Sequence, residues 1–584
     1  MSKYGANINL PNPSCTRLVT IVAHVDHGKT TLADNLVTAN GIISERQAGS
    51  IRYLDSTEEE QRRGITMHAS AIGLKHTFKK QTHVIHLVDS PGHLDFCQEV
   101  TTSLMACDGA LVVIDAIEGM GARLHAVLRE TYGHELVPIL VVNKVDRLCT
   151  ELLLGKIEAY VKIRVLLESV NAVCASMINA DETEHSEEYK EMWNFDPAKG
   201  NVIFGSAIHN WGFSIPGVSR SLFRSGTLPN IKPMVSRKFL FGDFKYNSEK
   251  EKIFTWKQHR SDGTEEDEEL PMFAEFCLGP IWDIYEAINE YTEFCKRGKD
   301  TNKFSETSRK QQISLSTPGI AQLMSAITAG SISPDNYTIN NIEELQKVLN
   351  GASTSLESIQ RAILRRFRSL SEAVLNSSCN ILPDPTEASL RKDSLKLRYD
   401  FDNIKLTDNQ RLSYKSFESA LCTCKQSNDV VTYAHVFKFV AVSRRDLNLE
   451  PFQGAGSEEN TSSTVLLGMT RVLSGVLCSG DVTYTAIGPE LTENENELSE
   501  KRAKRKIQLY LIMGSSFVAV NKVPAGHICA ASNLDDLRWR TLTLCDREDG
   551  IPLRGVALKS KPLVKVGVSA SVPSGESSVL FMVV

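Results

Sequence analysis

Ala23-His-Val-Asp-His-Gly-Lys-Thr30 is the stretch from which the fold can be read. It has the spacing of a phosphate loop ending in Gly28-Lys29-Thr30, with alanine at the first glycine position. Arg17-Leu-Val-Thr-Ile-Val-Ala23 leads into it and reads as a short buried strand. Thr31-Leu-Ala-Asp-Asn-Leu-Val37 leaves it as the start of a helix. Strand, loop and helix in that order make the match informative, because backbone amides at a helix start present hydrogens to phosphate oxygens. The loop from Ala23 through His24, Val25, Asp26, His27 and Gly28 to Thr31 is therefore a candidate cradle. Lys29 would supply positive charge to the β- and γ-phosphates, and the Thr30 hydroxyl would reach a magnesium ion.

Three more apolar runs follow at Val84–Asp89, Gly109–Asp115 and Pro138–Asn143, with helical patterns such as Ala122–Thr131 between them. Strands alternating with helices predict a parallel sheet covered on both faces. Ligands of such sheets bind beyond the carboxyl ends of the strands. Polar motifs sit at those ends. In Asp89-Ser-Pro-Gly-His93, Asp89 can hold magnesium through water and Gly92 offers an amide to the γ-phosphate. In Asn143-Lys144-Val-Asp146, the Asp146 carboxylate can accept from guanine N1 and its 2-amino group, a donor pair that adenine lacks. Ser206-Ala207, after the run Asn201–Gly205, can meet guanine O6 through backbone. Thr66, in Arg63-Gly-Ile-Thr66, lies between the first two motifs and can close over magnesium when a γ-phosphate is present. Each segment alone could be a turn. Four in this order, each at a strand end, point to GTP or GDP with Mg2+ as ligands.

At 584 residues the chain should hold three or more units. Its net charge of -6 leaves any nucleic-acid contact to local basic patches. Thirteen scattered cysteines, with no second pair near Cys422 and Cys424 at metal spacing, argue for a reducing compartment and against structural zinc. No apolar run reaches about 18 residues, so a cytoplasmic protein without membrane contact is expected. The division expected is a GTP-binding domain over 1–215 and an insertion with a helical tail over 216–385. A β-barrel follows over 386–553, then the first strand of a further domain over 554–584. The insertion carries the acidic run Ser261–Glu269, read as a solvated loop. It also carries one amphipathic helix with Ile359, Ile363, Phe367, Leu370 and Val374 inward, and Arg361, Arg365, Arg366 and Arg368 on other, solvated faces. Leu382-Pro-Asp-Pro385 reads as a linker and Glu450–Ser463 as a loop within the barrel. Lys501-Arg-Ala-Lys-Arg-Lys506 reads either as a solvated loop or as an RNA phosphate contact.

The form of the phosphate loop resembles that of the translational GTPases, and further matches place the resemblance on their elongation factor 2 branch. These are Gly41–Ser44, Arg52–Ser56, Arg63–Met67, Asp115–Gly119, Asn201–Ile208 with Trp211-Gly-Phe213, Phe241–Asp243 and Arg471–Val476. Within that branch the chain is similar to the elongation factor-like GTPases that mature large ribosomal subunits. Met120–Leu124 departs from the family's pattern, and the segment from about 214 to 385 is poorly matched. The resemblance implies a P-loop α/β domain followed by a β-barrel in a multidomain protein. It gives His93 the task of orienting the attacking water, and Asp26 that of placing the loop and a monovalent cation. The metal ligands implied are Thr30, Thr66 and Asp89. Implied partners are the large subunit and its ribosomal RNA, the Shwachman–Bodian–Diamond syndrome protein and, indirectly, initiation factor 6, with the chain as a monomer. The implied activity is a slow GTPase that the ribosome stimulates, in late subunit maturation with release of initiation factor 6. The alternatives are an elongation factor 2 type translocase, and a form that binds GTP or the ribosome without productive hydrolysis. Relatives continue through three further domains after the barrel, so a fragment is one expectation.

Overall fold

The computed structural model describes residues 8–583 apart from 45–51, 56, 94–95, 181–184, 229, 257–269, 301–318, 331–341, 352–354, 391–420, 422, 428, 445, 448–463, 492–497, 535–536, 538, 554–564 and 571–577. The first unit is built on β1 (Thr16–Ala23), β2 (Ser70–Phe78), β3 (Gln81–Asp89), β4 (Gly109–Asp115), β5 (Val137–Asn143), β6 (Val202–Ser206) and β7 (Trp211–Ser214). Their order is β2-β3-β1-β4-β5-β6-β7. From β3 to β6 all neighbours are parallel, while β2 and β7 add antiparallel edges. Every residue of β1, β4, β5 and β6 is buried, which is why these strands read as continuous apolar runs: helices cover both faces. The register sets Ile21 beside Asp89, Ala23 beside Val113 and Asp115 beside Asn143. The motif-bearing ends of β1, β3 and β5 thus share one edge of the sheet.

The expected helix through Ile359 and Val374 is two helices, Leu356–Phe367 and Leu370–Ile381. All five apolar residues are buried as expected. The break falls at Arg368-Ser369, where the backbone turns extended and pairs with β7. Gly212 donates to the Arg368 carbonyl at 2.9 Å, and Ser369 bridges to Trp211. Arg368 is not on a solvated face. Its guanidinium is buried, donates to the carbonyls of Cys277 and Phe276 at 2.9 and 3.2 Å, and lies 5.2 Å from the Phe213 ring centre. Burial lowers its pKa to about 10, so it remains a cation at neutral pH. Arg361 likewise reaches inward, donating to Asn35 Oδ1 at 3.1 Å. Helical period identified the apolar stripe; it could not show a two-residue interruption that leaves the stripe in phase. Arg368→Ala would remove both donations and leave a cavity beside the Phe213 ring. It is expected to destabilise the chain by about 2–4 kcal/mol, read as a lower urea midpoint at unchanged m.

Leu382–Pro385 is less a free linker than a helix start. Asp384 Oδ1 accepts from the amides of Thr386 and Glu387 at 2.8 and 2.9 Å, capping the short helix Pro385–Leu390. Between the two main units lie the hairpin β8 (Phe244–Asn247) and β9 (Lys252–Thr255) and the helices Gly279–Asp300, Ile320–Gly330 and Ile342–Gly351.

The barrel unit comprises β10 (Tyr433–Ser443), β11 (Thr464–Ser474), β12 (Val476–Cys478), β13 (Thr483–Leu491), β14 (Leu498–Lys506), β15 (Leu509–Met513), β16 (Ser516–Val520), β17 (Lys522–Pro524), β18 (Ile528–Ala531) and β19 (Leu542–Cys545). Ala434, Val436, Val472, Leu477, Tyr484, Leu509, Cys529 and Leu544 fill its core. It joins the first sheet where Met513 of β15 pairs with Ile72 of β2. Around that seam, Arg471 binds both oxygens of Asp108 at 2.8 and 3.0 Å, Lys438 pairs with Glu99, and the Tyr53 hydroxyl donates to the Met513 carbonyl at 2.8 Å.

The basic run 501–506 lies in strand β14, not in a loop. Its partner β13 imposes alternation, so Arg502, Lys504 and Lys506 are exposed. Arg502 donates to the Gly550 carbonyl at 2.9 Å, Lys504 pairs with Glu548, and Lys506 lies 4.0 Å from Asp481. A charge-rich run hides strand pairing when its alternating position is filled by another cation, as Arg505 does here. The single strand expected near the C-terminus is a pair, β20 (Lys565–Ala570) antiparallel to β21 (Ser578–Val583). The runs Ser261–Glu269 and Glu450–Ser463 fall outside the described residues, with Cys422. Among those described, no helix is long and apolar enough to cross a membrane.

Candidate functional site

β1 ends at Ala23, the chain turns through His24–His27, and the helix Lys29–Ala39 begins. Gly28 makes that turn possible. Its φ is +91°, and a Cβ there would sit 2.2 Å from Asn143 Nδ2. The close approach is used: Asn143 Nδ2 donates to the His27 carbonyl at 2.8 Å, while Asn143 Oδ1 accepts from the Ala207 amide at 2.8 Å. One side chain thus ties the phosphate loop to the loop after β6. A cleft of about 420 Å³ opens over these ends. His24, Val25, Asp26, Gly28, Lys29, Thr30, Thr31, Thr66, Gly92, Asn143, Lys144, Asp146 and Ala207 all line it.

At one end, Lys29 Nζ lies 2.7 Å from Asp89 Oδ1 and 3.2 Å from Thr66 Oγ1, and the Thr30 and Thr66 hydroxyl oxygens are 3.4 Å apart. Asp89 is fully buried, and its Oδ2 has no hydrogen-bond partner. Burial raises its pKa, against the pull of Lys29. Among the described residues no group of three or more histidine, cysteine, aspartate or glutamate side chains could hold a metal alone. Two hydroxyls and a carboxylate with an open oxygen do suit a magnesium ion whose other ligands are phosphate oxygens and water. Thr30, Thr66 and Asp89 would hold it, and it would neutralise phosphate charge.

At the other end, Asp146 is buried and its Oδ1 has no partner. Burial raises its carboxyl to about 6, with the Ser206 hydroxyl opposing the shift. An acceptor kept dry with one oxygen open suits a ligand that brings its own N–H donors. Only the ionised form accepts from both. The carboxyl is raised, so the ionised form is lost as pH falls through about 6. GDP affinity is expected to drop roughly tenfold per unit below that, measured by titration calorimetry between pH 5 and 8.

Several expected residues stand behind the cleft wall. Ala23, Asp89 and Ser206 are buried beneath it. The His27 ring turns into the sheet, 3.4 Å from the Val113 carbonyl and 3.3 Å from Glu118, so His27 serves through its carbonyl. His93 is half-buried beside Phe96 and does not line the cleft, although Gly92 before it does. Lys144 Nζ is held 2.7 Å from Asp115.

The sequence reading missed Arg52, Gly64, Ile65, Arg147, Glu151 and Ile208 in the lining. It also missed two buried carboxylates. Asp55 accepts from Thr66 at 2.8 Å and pairs with Arg52 at 2.5 Å. Asp34 accepts from the Tyr53 amide at 3.0 Å; burial first, then Asp89 and Asp55, push it to about 6. Asp34 follows Thr30 by four residues on one helix, a spacing that places both on one face and could have exposed it.

Residues 14–294 match the family described as the elongation factor Tu GTP binding domain. The chain is 29% identical to ribosome assembly protein 1 of Schizosaccharomyces pombe over 95% of its own length and 55% of that protein's. It is 28% identical to elongation factor-like GTPase 1 of Homo sapiens over 96% and 55%. A shorter match, 42% identical over 36% of this chain and 28% of the relative, is to elongation factor 2 of Methanosphaerula palustris. The chain therefore spans about half the length of the first two relatives. With the phosphate loop at the end of β1 and the other motifs beside it, residues 14–294 carry a GTP-binding domain of the elongation factor Tu type, and the chain is similar to translational GTPases of the elongation factor 2 branch.

Proposed function

We propose that this chain binds GTP and GDP with Mg2+ and hydrolyses GTP to GDP and phosphate, as part of a factor acting on the large ribosomal subunit late in its maturation in the cytoplasm. The observation that carries the reading is one cleft with a cationic, hydroxyl-bearing end at Lys29, Thr30 and Thr66 and a buried open carboxylate at Asp146. The two ends suit a nucleotide: phosphates at the helix start, guanine against Asp146. Lys29 and the loop amides would hold the phosphates. Thr66 would lock its segment through Thr30 and Asp55 when the γ-phosphate is present. His93, next to the cleft-lining Gly92, would swing toward the attacking water when ribosomal RNA positions it. Catalysis would be positioning and charge stabilisation, which dominate phosphoryl transfer.

Matches over 95–96% of the chain to proteins named for ribosome assembly and as an elongation factor-like GTPase support maturation over translocation, since the elongation factor 2 match covers 36%. On this reading the partners are large-subunit RNA and the Shwachman–Bodian–Diamond syndrome protein, with release of initiation factor 6 as the outcome, and the chain works as a monomer. The proposed division remains 1–215, 216–385, 386–553 and 554–584.

The test is steady-state GTP hydrolysis by the purified chain with and without large subunits. Stimulation is expected, and His93→Ala should lower the stimulated rate at least about a hundredfold while GDP affinity changes little. Binding without stimulation would favour a GTP-binding form that does not turn over. Movement of transfer RNA in a translocation assay would favour the elongation factor 2 reading.

A further inference from the structure

The base end of the cleft is backed by a chain of polar side chains that the nucleotide motifs do not include. His209 is buried, and its Nδ1 lies 2.7 Å from the Tyr285 hydroxyl and 3.7 Å from Asp146 Oδ2. Trp211 Nε1 lies 2.9 Å from the same Tyr285 hydroxyl. An indole nitrogen can only donate, so Trp211 gives its hydrogen to the Tyr285 oxygen. That leaves the Tyr285 hydrogen for His209 Nδ1, a bond that requires this nitrogen to be the unprotonated one. That ring nitrogen is therefore occupied as an acceptor, and it is the one nearest Asp146. At 3.7 Å it does not donate to the carboxylate.

We propose that His209 and Tyr285 are positioning residues for base recognition: with His209 Nδ1 filled by the Tyr285 hydroxyl, the imidazole does not pair with the Asp146 carboxylate, which stays open to guanine. The inference rests on the reading of Asp146 as the guanine-binding group. It ties that group to the helix Gly279–Asp300, which carries Tyr285 and lies outside the four nucleotide motifs. Without the Tyr285 hydrogen, the imidazole could take a proton at Nδ1 and pair with Asp146 Oδ2, occupying one of the two carboxylate oxygens that guanine requires. Burial already holds His209 near 4, against Glu357 and reinforced by Arg361, and holds Tyr285 well above the usual phenol range. The other titratable or charged groups around Asp146 are Arg147, Glu151 and Cys149, whose thiol burial keeps protonated.

The test is GDP affinity between pH 5.5 and 8 for the chain, Tyr285→Phe, and the double variant Tyr285→Phe with His209→Gln. Tyr285→Phe is expected to move the acid limb up by about one unit. It should bind about fivefold more weakly than the parent at pH 6 and converge with it toward pH 8. The double variant has no ring to protonate, so its limb should return to the parent position. A loss that is equal at every pH, or no change at all, would overturn the proposal. If Tyr285→Phe does not fold, the 15N spectrum of histidine-labelled parent chain decides: an Nε2–H tautomer at pH 6 is expected, and a protonated ring or an Nδ1–H tautomer rejects it. Asp146→Asn with xanthosine diphosphate is run in parallel. If that variant shows no switch, the guanine reading has failed; if it switches and the Tyr285→Phe limb does not move, only the present inference has.

Discussion

Lys29→Ala is expected to lower affinity for GTP and GDP by roughly 10²–10⁴ and to leave no measurable turnover. Two charge-assisted hydrogen bonds to phosphate, at about 1.5–3 kcal/mol each, account for that range. In the structure the ammonium is buried 2.7 Å from Asp89, so a nucleotide draws it from an ion pair and not from water. Removing it also leaves Asp89 buried without its cation, which costs roughly 3–5 kcal/mol when a charge cannot neutralise. Asp89 can take a proton, since burial already raises its pKa, so the folding loss should be smaller and should shrink at acid pH. The double variant Lys29→Ala with Asp89→Asn separates the effects. Thermal stability should recover and nucleotide binding should not, because the phosphate contact is still missing. GDP binding by Lys29→Ala within threefold of the parent would place the phosphates elsewhere.

Asp146→Asn is expected to exchange guanine for xanthine. The ionised carboxylate offers acceptors to two guanine donors, and its open Oδ1 lies buried with none of its own. An amide puts an N–H where one acceptor stood. Guanine's 2-amino group then meets a donor, whereas the 2-carbonyl of xanthine meets a partner. A site built around buried polar matching discriminates by about 10⁴–10⁵ when one partner is left unmatched, so the ratio of GDP to xanthosine diphosphate affinity should invert by at least about a hundredfold. Competition with a fluorescent GDP analogue measures both ligands in one assay. The substitution also removes a carboxyl that burial raises to about 6, so the acid limb of binding should flatten. An unchanged preference for guanine would mean that the base lies against another wall of the cleft.

The contrast between Asp146 and Arg368 shows what could be read from residues in order. Asp146 stands in a local pattern, Asn143-Lys144-Val145-Asp146, at the end of an apolar run. The physics that places it, a parallel strand ending at the ligand edge, acts over a few residues. Arg368 stands in a helical stripe whose phase is intact on both sides, and nothing within the stripe marks the break. Its place is set by the carbonyls of Phe276 and Cys277, more than ninety positions away, and by the edge of β7. The basic run 501–506 is similar: β13 and Glu548 decide its conformation.

From its order alone the sequence determined that a phosphate loop follows β1, that the strands of a parallel sheet end in polar motifs, and that Lys29, Thr30, Thr66 and Asp146 belong to one pocket. These follow from periodicity and from residue types with few alternatives, so they are written locally. The tertiary structure decided that Asn143 stitches two loops, that the His27 ring faces inward, that Asp55 bonds Thr66 and Asp34 lies near Asp89, and that Tyr285 bonds His209 beside Asp146. Each of these depends on which distant group fills a buried hydrogen-bonding position. An unpaired polar atom away from water is costly enough that the fold must supply a partner from wherever in the chain it can reach.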